Sequence, residues 1–224
     1  MTKHFEREIT NLKRRVLGTG SMVEQMLREA VKSVEEGDPV AARWVIERDS
    51  AIDAEEVENE EECLKILALH QPVALSLRFV TAVLKINNDL ERMADQAVNI
   101  AERALRLLNR TTPATRVGLQ AISERALRMV RKALDALVSM DKEAALEVCR
   151  SDAEVDALYR DACEEIQRHI AHNPSDVSAG LDMVAVLANL ERCADLATNI
   201  AEDVVYTVDG HIIRHPGLSR RTEQ

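Results

Sequence analysis

A repeat limits what this chain can fold into. Residues 88–102 read NDLERMADQAVNIAE and residues 188–202 read ANLERCADLATNIAE, with ten of fifteen positions identical at an offset of 100. Ordinary residue frequencies give about one identity in such a stretch. An earlier pair of segments also corresponds: Asp49-Ser-Ala-Ile-Asp53 aligns with Asp152-Ala-Glu-Val-Asp156 at an offset of 103, and Asp38 and Asp141 open the two helices that carry them. The chain is therefore two copies of one unit, with the same polar elements in each.

The unit is helical. Seven glycines and five prolines in 224 residues leave little room for turns, and apolar residues recur with helical spacing nearly throughout. Breaks fall at Gly37-Asp38-Pro39, His70-Gln71-Pro72, Thr111-Thr112-Pro113, Met140-Asp141 and His172-Asn173-Pro174-Ser175. They predict helices over 4–36, 39–69, 73–109, 115–139, 142–171 and 176–208. Asp38 before Pro39 has the form of an N-cap followed by proline at the first helical position, and Gly37 and Gly210 are placed to end helices in the left-handed conformation. Such short connections make consecutive helices antiparallel. The expected fold is all-α: two tandem three-helix bundles over 1–110 and 111–217, with a flexible tail at 218–224.

Five aromatic residues, Phe5, Trp44, Phe79, Tyr159 and Tyr206, leave the core to aliphatic side chains and offer no stacking platform for bases. A net charge of −10 repels a phosphate backbone, so nucleic acid is not an expected partner. No signal peptide or membrane span is expected, since the apolar stretch from Pro72 to Leu84 is interrupted by Arg78. Cys63, Cys149, Cys163 and Cys193 occur singly without CxxC spacing and read as reduced core residues. Met22, Met26, Met129 and Met140 read as core filler, and Lys13, Arg14 and Arg15 as a solvated basic face. Gly18 and Gly20 in the first helix mark either a bend or a close helix approach.

The chemistry of the chain lies in its carboxylates. Each half carries an acidic i,i+4 pair on its second helix and another on its third: Asp49/Asp53 with Glu91/Asp95, and Asp152/Asp156 with Glu191/Asp195. Residues four apart share a helix face, and antiparallel packing can bring each set of four together. Asn99 and Glu102, or Asn199 and Glu202, extend the stripe. Hard oxygen ligands suit Mg²⁺, Ca²⁺, Mn²⁺ or iron, and zinc less well. Thirty-nine acids would produce about seven such pairs at random, so their significance lies in recurring at matched repeat positions. Each like-charge pair costs a helix about 0.2–0.5 kcal/mol. Two compensations are open: bound cations, or a salt-bridge network on a solvated face using Arg92 and Arg192.

Catalysis is not expected. The acid stripes lack the Glu-x-x-His pattern of oxygen-activating di-iron bundles, and the chain has no Walker A loop, no GxGxxG and no evident nucleophile–base order. His169 and His172 read as helix-end residues facing the macrodipole rather than as ligands or phosphotransfer groups.

The twin segments LERMAD (Leu90–Asp95) and LERCAD (Leu190–Asp195) resemble the paired acidic signature E(D)xxxD of the PhoU family. Met22-Val23-Glu24-Gln25, Gln71-Pro72, Leu77-Arg78 and Arg214-His215 extend the likeness over about residues 5–217. Ala94 and Ala194 stand where the family often has glycine. The resemblance implies two three-helix bundles with pseudo-twofold symmetry. It also implies iron, zinc, Mg²⁺ or Mn²⁺ held by the acidic motifs, here Asp49, Asp53, Glu91, Asp95, Asp152, Asp156, Glu191 and Asp195. By the same likeness the protein is a homodimeric negative regulator of the phosphate regulon and phosphate uptake. It would link the ATPase subunit of the phosphate ABC transporter to a sensor histidine kinase from the cytoplasmic face of the membrane, without inserting into it. A metal-dependent bundle enzyme and a metal-free helical scaffold are the competing readings.

Overall fold

The computed structural model describes residues 3–108, 110 and 116–211. Six long α-helices run α1 Lys3–Glu36, α2 Pro39–His70, α3 Ala74–Leu107, α4 Leu119–Ser139, α5 Lys142–His172 and α6 Val177–Asp209, with a 3₁₀ turn at Pro174–Asp176. Thr111-Thr112-Pro113, Arg214-His215 and the expected tail at 218–224 lie outside the described residues.

The repeat begins both of its second helices with the same device. Asp38 Oδ1 accepts from the backbone N–H of Val40 (2.8 Å) and Ala41 (3.3 Å), ahead of Pro39. Asp141 Oδ1 accepts from the N–H of Glu143 (2.9 Å) and Ala144 (3.1 Å). Each cap satisfies donors that no helical carbonyl can reach, which is worth about 1 kcal/mol. Gly37 and Gly210 end α1 and α6 at φ 65° and 77°, as their positions predict. Helix α4 starts later than its periodicity indicates, at 119 instead of 115, because Gly118 stands immediately before it at φ 71°, outside the right-handed helical region.

Within each half the three helices pack on one another, and the halves join through α3 against α6 and α1 against α4. The pairing of α3 with α6 is antiparallel. Arg78 Nε donates to the Thr207 carbonyl (2.9 Å) at one end, and an Arg103 guanidinium nitrogen lies 2.8 Å from Asp182 Oδ1 towards the other. The core is aliphatic: Leu12, Met26 and Leu27 of α1, Ile86, Leu90, Met93 and Ile100 of α3, Ile122 of α4 and Met183 of α6 are almost fully buried. Cys63 and Cys193 are buried, Cys149 and Cys163 half-buried, and all four are free thiols. Met26 and Met129 are core residues, and Met22 and Met140 pack on its edge.

Two sequence expectations resolve here. Helix α1 runs unbroken through Gly18 and Gly20, and Gly20 is a contact residue: a Cβ there would lie 2.7 Å from Leu134 Cδ2 of α4. Arg15, by contrast, does not belong to a solvated face. Its Nε donates to Asn59 Oδ1 (3.0 Å), and its guanidinium lies 2.7 Å from Glu58 and 3.3 Å from Glu55 on α2. Asn59, fully buried, also donates to Thr19 (3.1 Å) and to Asn87 (3.0 Å), and Asn87 donates to the Glu56 carbonyl (2.8 Å). This polar seam pins the register of α1, α2 and α3. The repeat offsets put Ala162 and Leu187, both buried, at the positions of Asn59 and Asn87 in the second half, so the halves share a backbone plan with different core chemistry.

Candidate metal centre

The two acid pairs of each half lie on helices that pack against each other, α2 with α3 and α5 with α6. In the second half, Asp152 and Asp156 of α5 and Asp195 of α6 offer carboxylate oxygens that all lie within 4.8 Å of one another. Asp152 is half-buried and Asp156 and Asp195 are exposed, so the cluster is open to solvent on one side. Glu191, half-buried, sits one turn from Asp195 and feels Asp195 and Asp156. In the first half, burial and the charges of Asp53 and Asp95 raise the Asp49 carboxyl above its ordinary range. Burial, Asp95 and Asp53 do the same to Glu91. Of the eight predicted carboxylates, Asp152, Asp156 and Asp195 converge, whereas Glu191 and the four first-half acids are near enough to feel their neighbours' charge without closing into such a cluster among the described residues.

Electrostatically these are unrelieved sites. Burial, then repulsion from Asp156, raises Asp152, although a hydrogen bond from Thr198 Oγ1 to Asp152 Oδ1 (3.2 Å) partly offsets this. Burial, Asp152 and Asp156 raise Asp195 against a smaller opposing effect of Arg192. Among the described residues, no Lys, Arg or His forms an ion pair with any of the eight. Arg92, one of the two arginines that could have neutralised a stripe, turns to Asp89 at 3.5 Å instead. Carboxylate oxygens gathered at this separation, raised by burial and by one another and left without a paired side-chain cation, form a donor set that fits a hard di- or trivalent ion.

The two sites differ in their surroundings, and these residues were missed by spacing. Thr198 has Val98 as its repeat partner, so among the described residues the hydroxyl bonded to Asp152 has no counterpart at the matching place in the first site. Glu56, one turn beyond Asp53, adds a fifth carboxylate whose charge reaches Glu91, while Tyr159 takes the matching place facing Glu191. Both differences are visible as mismatches when the repeats are aligned. Asn99 and Glu102 are exposed and Asn199 and Glu202 half-buried along the same stripes. Burial, with Glu202, raises the Cys149 thiol to about 11, so the sulfur at that end stays protonated at neutral pH. His169 is tied to Asp176 at 2.7 Å and His172 to the Arg168 carbonyl at 2.7 Å, both at the end of α5 and away from the acids.

The duplicated site has close relatives. The PhoU domain profile matches twice, over residues 16–104 and 119–204, and each match contains one acid set. The chain belongs to the PhoU family. It is 36% identical over its whole length to the phosphate-specific transport system accessory protein PhoU homologue of Pseudomonas putida, covering 88% of that protein. The crystal structure of PhoU from Pseudomonas aeruginosa superposes with a TM-score of 0.89 at 35% identity, over 92% of this chain and 100% of that one. The phosphate transport system regulatory protein PhoU from Streptococcus pneumoniae superposes with a TM-score of 0.88 at 27% identity, over 94% of this chain and 100% of that one. In this PhoU chain Ala94 and Ala194, which stand beside the acids, are buried, small side chains of the kind that lets neighbouring helices approach.

Proposed function

We propose that this PhoU protein is a phosphate-transport accessory protein acting as a negative regulator of the phosphate regulon and of phosphate uptake. The reading rests on full-length similarity to a PhoU accessory protein of a phosphate-specific transport system. The partners that follow are the ATPase subunit of the phosphate ABC transporter and a sensor histidine kinase, reached from the cytoplasmic face. Among the described residues no helix is long and apolar enough to cross a membrane, so an association with membrane components would run through protein contact. We assign the chain no catalytic role, and a homodimer is its proposed assembly.

Metal is the proposed structural element of this activity. Asp152, Asp156, Glu191 and Asp195 would hold one site, and Asp49, Asp53, Glu91 and Asp95 the other. Cations such as iron, zinc, Mg²⁺ or Mn²⁺ would cancel the repulsion on each stripe and fix the α2–α3 and α5–α6 faces that partners read. The observation that supports this is the convergence of three carboxylates in the second half, none of them in an ion pair among the described residues. Elemental analysis of untagged protein purified without chelator tests it against a folded Glu91→Ala, Asp95→Ala, Glu191→Ala, Asp195→Ala variant. Bound metal in the parent, its loss in the variant and a matching loss of affinity for the transporter ATPase are expected. Metal content that is equal in the two proteins, after Mg²⁺ titration as well, would remove metal from the mechanism.

A further inference from the structure

A second donor cluster lies far from the acid stripes, where the start of α1 meets the end of α2. His4 and Glu8 are four residues apart and share one face of α1, and His70 closes the last turn of α2. A His70 ring nitrogen, Nε2, is hydrogen-bonded to Glu8 Oε2, and His4 Nε2 is 3.4 Å from Glu8 Oε1. One ligand atom from each of the three residues lies within 4.8 Å of the others. Glu8 is 6% exposed, a carboxylate sunk at the helix junction, while the His4 side chain is 59% exposed and leaves the cluster reachable from solvent. The Phe5 ring, 5.2 Å from that of His70, walls the inner side.

Two imidazoles and one carboxylate differ in kind from the all-oxygen stripes. Nitrogen donors favour zinc and its first-row neighbours over Mg²⁺ or Ca²⁺, and a His₂Glu set leaves a coordination position for water. From this geometry we infer that His4, Glu8 and His70 form a binding site for a single divalent ion of the zinc class, which staples the α1 start to the α2 end. The neighbouring cations are compatible with it. Lys65 Nζ is 3.8 Å from Glu8 but bonds Glu62 at 3.2 Å, and Arg7, whose side chain now donates to His4 Nδ1 at 3.4 Å, is exposed and free to turn aside when metal takes Nε2 and Nδ1 carries the proton. Binding needs unprotonated imidazole nitrogen, so it competes with protons and weakens in acid.

The test is a Co²⁺ titration of the untagged full chain followed by visible absorption, because four-coordinate cobalt with imidazole ligands absorbs strongly and six-coordinate all-oxygen cobalt only faintly. The variants are His4→Ala, which alters a largely exposed side chain, His70→Gln, and an Asp152→Asn/Asp156→Asn/Asp195→Asn triple, each checked for native helicity. One equivalent of strong absorption is expected in the parent and in the triple variant. Both histidine variants should bind at least about tenfold more weakly, since losing a direct ligand costs no less than losing a group that merely supports one. Absorption that persists in either histidine variant, or that never appears in the parent, overturns the inference. Absorption that vanishes only in the triple variant would assign the cobalt to the acid stripe, overturning this site and leaving the proposed function intact.

Discussion

Asp195 shows how a residue can carry a cost that the fold alone does not relieve. Burial and the carboxylates of Asp152 and Asp156 raise its pKa above the ordinary 3.8. A carboxyl raised in the folded state holds its proton more tightly there than in the unfolded chain. Its cost is absent below the unfolded value, grows as pH rises from the unfolded value to the folded one, and is complete above that. In chelator, the protein should therefore lose stability as the pH climbs above about 4, where an unfolded aspartate ionises. Asp195→Asn should flatten that slope and raise stability at pH 7 by up to about 0.5 kcal/mol, the size of one relieved like-charge pair. Urea unfolding between pH 4 and 8, with and without metal, measures this. A variant with the parent's slope would mean that the stripe is not strained. Asp141 bears a smaller, purely structural duty, and Asp141→Ala should cost about 1 kcal/mol through its two lost cap bonds, read as a lower urea midpoint.

At the level of elements, the contact of α1 with α4 turns on Gly20. Alanine there would press on the far end of the Leu134 side chain, which has freedom to rotate, while gaining up to about 1 kcal/mol of helix propensity. Gly20→Ala should consequently be close to neutral in thermal unfolding. Gly20→Leu should cost about 1–3 kcal/mol, because a whole side chain must force α1 from α4. Equal stability of the two variants would show that the helices do not approach as closely as the structure has them. The six helices themselves were legible from periodicity and caps, and five of them begin and end within about two residues of where the pattern places them. The start of α4 was not, since Gly118 exchanges a helical conformation for a left-handed one without breaking the apolar spacing.

For the molecule as a whole, the halves are held by the α3–α6 seam, where buried acids meet cations from the other repeat. Arg103 pairs with Asp182 at 2.8 Å and Lys85 with Asp203 at 3.2 Å. Asp182 is 7% exposed, so removing its partner leaves a carboxylate with little access to water. Arg103→Ala should cost about 2–3 kcal/mol, reduced from the range for a fully buried pair because the guanidinium is partly solvated. Arg103→Ala with Asp182→Leu should recover part of it. A double variant no better than the single one would place the cost in lost packing of the arginine stem.

The sequence by itself determined the duplication, the helical class, the caps on α2 and α5, and the division of the acids into two sets of four. These follow from spacing, because residues four apart share a helix face wherever the helix lies. Only the tertiary structure decided how those faces meet. It draws Asp152, Asp156 and Asp195 together more tightly than the first-half acids. It also ties half-buried Arg15 to Asn59 of α2 and sets His70 against Glu8, 62 residues earlier. Each outcome depends on the distance between side chains on different helices. That distance is set by the packing of Gly20, Ala94, Ala194 and the aliphatic core, where shifts of a few tenths of an ångström are resisted by close-packed neighbours.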